Sequence, residues 1–330
     1  MSRGWKNRVV VITGASNDTG RATARALARK GVQLVLASRR EAPLGDLVRE
    51  CQSLGVRAIP VHLDSGDADS VRTLAWEALR AFGRFDAWIN NAGDFLTGSL
   101  EETPDDSFRQ LLETHFLGTV QCTRAAVAWF RRQGYGTVVN VASSFGAAAA
   151  PYVSASVASR QAVQGFTASV RQELLGTGIH VCTVIPSAID AALWHHTANY
   201  TDWRTHPEEP VHAPERVARA ILHVLREPRA EVRVGPSPRT LGGMSGLLPR
   251  FLSGAVQARH ARSERQAPTS GGRFLLPLAG AAVCGGVSSR RKKTLRRLLL
   301  AGGVMATAAF LRSERARQRL SERVGLALGV

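Results

Sequence analysis

Val9-Val10-Val11-Ile12-Thr13 runs directly into Gly14-Ala15-Ser16-Asn17-Asp18-Thr19-Gly20, and Arg21-Ala22-Thr23-Ala24-Arg25-Ala26-Leu27-Ala28 follows with helical patterning. An apolar strand, a glycine-bearing turn and a helix come here in the order a diphosphate site requires. Glycines let the backbone come close to the phosphates, and the helix start offers unpaired N–H groups at the positive end of its dipole. Thr13, Gly14, Ser16, Asn17, Asp18, Thr19 and Gly20 are therefore the first candidate binding residues. Asp18 is the awkward one. A carboxylate about 4 Å from a phosphate repels it by roughly 1–4 kcal/mol at effective dielectrics of ~80 to ~20. The other reading is that its side chain faces solvent and the residue serves to tolerate a positive φ.

The same rhythm continues outward from this stretch. Short apolar runs recur at Leu34-Val35-Leu36, Ala58-Ile59-Pro60-Val61, Ala87-Trp88-Ile89, Val138-Val139-Asn140-Val141, Val181-Cys182-Thr183-Val184-Ile185 and Glu231-Val232-Arg233-Val234, with helix-like stretches between them. That alternation predicts an α/β fold: a Rossmann-like, doubly wound parallel sheet in three layers, with ligands bound beyond the carboxyl ends of its strands. A turn-rich segment from Pro186 to Pro210 and a helix near Pro214 to Arg226 precede the last strand. Past Pro236 the rhythm stops. The expected organisation is a dinucleotide-binding unit over 1–240, a helical linker segment over 241–272 and a basic tail over 273–330.

Composition narrows the function classes. Hydrophobic residues make up 44% of the 330, enough for a sizeable core. Cys51, Cys122, Cys182 and Cys284 are scattered without disulfide or zinc spacing, and residues 1–8 lack the apolar run of a signal peptide, so a cytoplasmic protein is expected. The net charge of +17 is concentrated in the tail, where residues 250–330 carry sixteen Lys or Arg against three Glu. Only four lysines occur in the chain, so arginine carries nearly all the positive charge.

Thr13 to Gly20 resembles the TGxxxGxG loop of the short-chain dehydrogenases/reductases, with Asp18 where that family usually has glycine. Asn90-Asn91-Ala92-Gly93 matches the family's NNAG motif, and Val139-Asn140-Val141-Ala142-Ser143 resembles the strand that bears its catalytic serine. The resemblance spans roughly Asn7 to Val234. It implies that Asn91, Ala92 and Gly93 line a nicotinamide dinucleotide, that Asp64 contacts its adenine, and that Pro186 and Ser187, at the family's PG motif, lie beside it. It also implies homo-oligomers formed through the helices around 104–133 and 154–175.

The end of the second strand reads Ala37-Ser38-Arg39-Arg40. An acid there would hold a ribose 2′-hydroxyl, whereas arginine accommodates a 2′-phosphate. Ser38 and Arg39 thus favour NADP(H) over NAD(H), the alternative being two ordinary surface arginines.

The catalytic positions have changed. The family's tyrosine, lysine and asparagine correspond to Ser156, Arg160 and His115, and of the four catalytic side chains only the serine, Ser143, remains. A serine hydroxyl is shorter and far less acidic than a phenol, and a guanidinium is not interchangeable with an ammonium. Two substitutes for the lost proton donor suggest themselves: Tyr152, one helical turn before Ser156, and His115 if it titrates near pH 6.5. The function is therefore either hydride transfer between NADP(H) and a carbonyl or alcohol, or silent dinucleotide binding and scaffolding by a relative that has lost catalysis.

Trp194, His195, His196, Tyr200 and Trp203 follow the sixth strand as an aromatic substrate lid or as packing residues; the two histidines lack a third ligand, and no metal is expected. In the tail, the apolar runs Phe274–Ser289 and Leu298–Leu311 flank Arg290-Arg291-Lys292-Lys293-Thr294-Leu295-Arg296-Arg297. Each run is shorter than the ~20 residues a spanning helix needs. Peripheral or hairpin association with the anionic inner face of a membrane is the favoured expectation. A docked helical pair is the alternative, and nucleic acid is disfavoured for want of any reading motif.

Overall fold

The computed structural model describes residues 4–143, 151–189, 198–201 and 211–235. Its centre is a seven-stranded, wholly parallel sheet, the expected doubly wound fold. In chain order the strands are β1 (Val9–Thr13), β2 (Gln33–Ser38), β3 (Ala58–His62), β4 (Ala87–Asn90), β6 (Gly136–Val141), β7 (Ile179–Pro186) and β9 (Glu231–Val234). Their spatial order is β3-β2-β1-β4-β6-β7-β9. β1 pairs in register with β2 on one side and β4 on the other, with Val11 opposite both Val35 and Trp88. The chain reverses direction across the sheet between β1 and β4, and a crevice opens at such a switch point.

Both faces of the sheet are covered, so the strands read as nearly continuous apolar runs. Side chains alternate between two cores. Val10, Ile12, Leu34 and Leu36 pack with α1 (Asp18–Ala28), α2 (Glu41–Ser53) and α7 (Pro214–Arg226). Val9, Val11, Val35 and Ala37 face α3 (Ala68–Phe82), α5 (Gly118–Gln133) and the end of α6 (Ser154–Glu173). Asp67 caps α3 by accepting from the amides of Asp69 and Ser70. Gly83 and Gly134 close α3 and α5 in the left-handed conformation, where glycine has no side-chain penalty.

Three features exceed the sequence-based expectation. A second parallel pair, β5 (Leu96–Thr97) with β8 (Ala198–Asn199), joins the chain after β4 to the segment after β7. Each strand is two residues long, too short for any periodic signal. Helix α4 (Asp105–Leu112) passes into α5 through a π-helical turn at Glu113–Leu117, which carries His115. A buried polar chain also crosses the sheet. Asn90 receives the Trp88 indole N–H and donates to Thr123 and Asn140, and Asn140 donates to Thr167 at 2.8 Å on α6. Among the described residues no helix is long and apolar enough to cross a membrane. Trp194, His195, His196, Trp203, the linker 241–272 and the tail 273–330 lie outside them.

Candidate functional site

The glycine loop leaves β1 over the switch point and is held by the NNAG segment as well as by bonds within itself. Thr13 Oγ1 accepts from the amides of Asn91 and Ala92 at 3.1 and 3.2 Å. The Asn91 side-chain amide donates back to the carbonyls of Thr13 and Gly14 and to Asn17 Oδ1. Gly14 has φ +61°, and a Cβ there would lie 2.7 Å from Ala92 Cα. A Cβ on Gly20 would lie 2.4 Å from the Gly14 carbonyl oxygen. These two positions need glycine because backbone meets backbone at both. Asn17 caps α1, accepting from the Gly20 amide at 2.8 Å.

Asp18 is the first residue of α1, with helical backbone, and is only 9% exposed. Neither the positive φ nor the solvent-facing side chain of the milder sequence reading is found, because the cap falls on Asn17 and the helix begins one residue earlier than that reading needs. The neighbouring charge that tempers it is Arg40. Burial lowers the Arg40 guanidinium below its ordinary value, while Asp18 and Asp94 pull it back up.

The two arginines after β2 divide their work. Arg39 forms an ion pair with Asp94 at 2.7 Å. Arg40 turns over the glycine loop instead, donating to the Ser16 carbonyl at 2.7 Å and to Ser16 Oγ. The Ser16 and Ser38 hydroxyls lie 2.6 Å apart, and Ser38 Oγ also accepts from the Arg40 amide. Thr19 is buried in the first turn of α1, and its carbonyl accepts from the Thr23 hydroxyl. Asp64 is half-buried beyond β3, with Oδ1 accepting from the Gly66 amide. Pro186 ends β7, and Ser187 bonds through both its amide and its hydroxyl to the Val234 carbonyl of β9.

The residues that fit a dinucleotide are thus assembled: a glycine loop of fixed shape, the start of an eleven-residue helix and a basic pair at the ribose end. Asp94 and Arg40 were missed as candidates. Their signal was adjacency alone, one following Gly93 and the other Arg39.

Around α6, two of the candidate catalytic side chains, Ser156 and Arg160, have internal partners. The Ser156 hydroxyl is fully buried and makes two bonds to one residue of β5, accepting from the Leu96 amide and donating to the Leu96 carbonyl, both at 2.9 Å. Arg160 is buried one turn further along α6. It donates to the Ser156 carbonyl at 3.0 Å and the Asp94 carbonyl at 3.3 Å, and lies over the Phe95 ring. Burial brings its pKa down to about 10, against the pull of Asp94.

His115 packs against Gly93, where an added Cβ would meet its ring at 2.6 Å. Its Nδ1 is buried without a hydrogen-bond partner. Burial first, and the Arg160 charge second, push its pKa down to about 3, so the ring is neutral near pH 7 and the condition for its acting as an acid there is not met. Ser143 follows β6 and is half-buried. Tyr152 is half-buried at the entry to α6 with φ +64°, and its carbonyl accepts from the Gly98 amide. A left-handed aromatic residue costs about 1–3 kcal/mol, and such residues cluster at functional sites.

Known proteins are similar to this chain over most of its length. The family model for short chain dehydrogenases matches residues 8–201. An uncharacterized oxidoreductase of Bacillus subtilis, YxnA, is 34% identical over 250 residues, covering 74% of this chain and 70% of that protein. Dehydrogenase/reductase SDR family member 7B of Xenopus tropicalis is 30% identical over 272 residues, covering 79% of this chain and 88% of that protein. Among solved structures, an actinorhodin polyketide ketoreductase with NADPH superposes with a TM-score of 0.64 at 25% identity, covering 71% of this chain and 97% of the other.

Proposed function

The chain belongs to the short-chain dehydrogenase/reductase family of oxidoreductases, and from that premise we propose that it binds NADP(H) in preference to NAD(H) and reduces or oxidises a small carbonyl or alcohol. The observation that carries the reading is the interlock of Thr13, Gly14 and Asn17 with Asn91. It fixes the helix start as a diphosphate cradle before any ligand arrives. The coenzyme supplies the hydride. Arg39 and Arg40 take the 2′-phosphate, Asp64 the adenine, and Ala92, Gly93, Pro186 and Ser187 line the path to the nicotinamide. The structurally similar ketoreductase is bound to NADPH, which supports the coenzyme form.

Ser143 polarises the substrate oxygen, Arg160 holds ribose hydroxyls, and Tyr152 gives or takes the proton. Tyr152 is favoured because the Ser156 hydroxyl is spent on Leu96 and His115 is neutral near pH 7. The same two observations favour a second reading, a relative that binds dinucleotide without turnover. Calorimetry with NADPH and NADH, followed by NADPH oxidation over a panel of ketones and quinones, separates them. Turnover lost in Tyr152→Phe and kept in Ser156→Ala supports the first reading; tight NADPH binding with no turnover on any substrate supports the second. Absence of binding by folded protein removes both.

For the tail, the proposal is reversible attachment to an anionic membrane surface through residues 273–330, following a dinucleotide-binding unit over 1–240 and a linker over 241–272. Flotation with anionic vesicles at low salt is the test, and full-length protein that stays unbound refutes it. Homo-oligomerisation through α4–α5 and α6 is proposed from the family, and sedimentation decides it.

A further inference from the structure

We propose that Asp94 restrains coenzyme binding: its carboxylate holds Arg39 across the dinucleotide groove and must be displaced by the 2′-phosphate of the incoming coenzyme. This rests on the NADP(H) reading above and names the residue that sets its affinity.

The argument begins with topology. β2 and β4 are the two neighbours of β1. Arg39 leaves the carboxyl end of β2 and Asp94 lies four residues past the end of β4, so their 2.7 Å ion pair crosses the carboxyl end of β1, where the glycine loop begins. A dinucleotide at a switch point runs along that line.

The carboxylate is placed there by its backbone. The Asp94 carbonyl accepts from Arg160, and the preceding Gly93 is wedged against His115. The pair is nevertheless exchangeable, because both side chains keep solvent contact, 27% exposed for Arg39 and 30% for Asp94. A 2′-phosphate brings close to two negative charges and can bond a guanidinium through two oxygens, so it outcompetes one carboxylate. The hydroxyl that NAD(H) presents at the same place is neutral and leaves Arg39 on Asp94. Selectivity then comes from exchanging one counter-ion for another, with Asp94 setting the cost.

The test is calorimetry of the full-length protein with NADPH and with NADH, for wild type, Asp94→Asn, Asp94→Ala and Arg39→Ala/Asp94→Asn. Both single substitutions leave the Asp94 carbonyl in place for Arg160, and thermal unfolding checks that each variant is folded. The expected result is an NADPH Kd lowered about fivefold in Asp94→Asn and Asp94→Ala, an NADH Kd changed less than about twofold, and the gain erased when Arg39 is also removed. If the substitutions weaken NADPH binding, leave it unchanged, or tighten both coenzymes equally, the proposal is wrong even though the coenzyme reading stands. If the folded wild type binds neither coenzyme, the coenzyme reading fails and the restraint, which rests on it, falls with it.

Discussion

At the ends of β1 and β4, Thr13, Asn17 and Asn91 hold one another so that a backbone surface stays presented. At β5 and α6, by contrast, Ser156 commits its hydroxyl to the Leu96 backbone while its carbonyl accepts from Arg160, and there the reactive side-chain atom itself is used up. The contrast lies in where each kind of chemistry resides. Anchoring a diphosphate needs amides and close backbone approach, which a side-chain web strengthens. Proton transfer needs a side chain with an atom left over, and the same kind of web removes it.

The sharpest way to break this contrast is Gly20→Val. Its Cβ falls 2.4 Å from the Gly14 carbonyl oxygen, and backbone on both sides has nowhere to go. We expect a loss of about 3 kcal/mol or more in urea unfolding and no measurable NADPH binding by the folded fraction. Binding near the wild-type level would show that the loop does not hold the coenzyme. Ser156→Ala leaves the Leu96 amide and carbonyl without their shared partner, for a cost of about 2–3 kcal/mol. NADPH affinity should move less than about twofold, since the change lies in the other half. A large change in affinity would mean the halves are coupled.

His115 gives a pH signature of the catalytic half. Its folded pKa of about 3 lies below the ordinary 6.5, so between those values the unfolded chain binds a proton that the native one refuses. The stabilisation is complete above pH 6.5 and is lost as pH falls toward 3. From pH 6.5 to 5 the loss is about 2 kcal/mol, and His115→Asn should flatten that part of a stability profile. An unchanged slope would sink the assignment. The smallest effect is expected far from both halves: Glu77→Gln, which breaks a surface pair with Arg80 on α3, should change stability by less than about 0.5 kcal/mol and binding not at all.

The inner strands β1, β2, β4, β6 and β7 were legible because each is a largely buried, mostly apolar run bounded by turns. The glycine loop was legible because its chemistry follows from residue order. Which arginine lies over that loop was not, since Arg39 and Arg40 are chemically identical and only Asp94, distant in sequence, separates them. The use of the Ser156 hydroxyl was hidden in the same way. Its partner is Leu96, sixty positions earlier on a strand of two residues. The Asn90–Asn140–Thr167 chain was not read from the sequence, although asparagine in an otherwise apolar strand is a signal for a buried partner.

The clasp between Ser156 and Leu96 also bears on reversibility. Leu96 is one of the two residues that pair β5 with β8, so the hydroxyl supports a ladder as well as a helix. A tyrosine placed at position 156 would therefore have to release that peptide before it could offer a phenol. Any larger side chain introduced at position 156 would meet a weakened scaffold first, so this one hydroxyl ties the local chemistry of α6 to the integrity of a strand ladder.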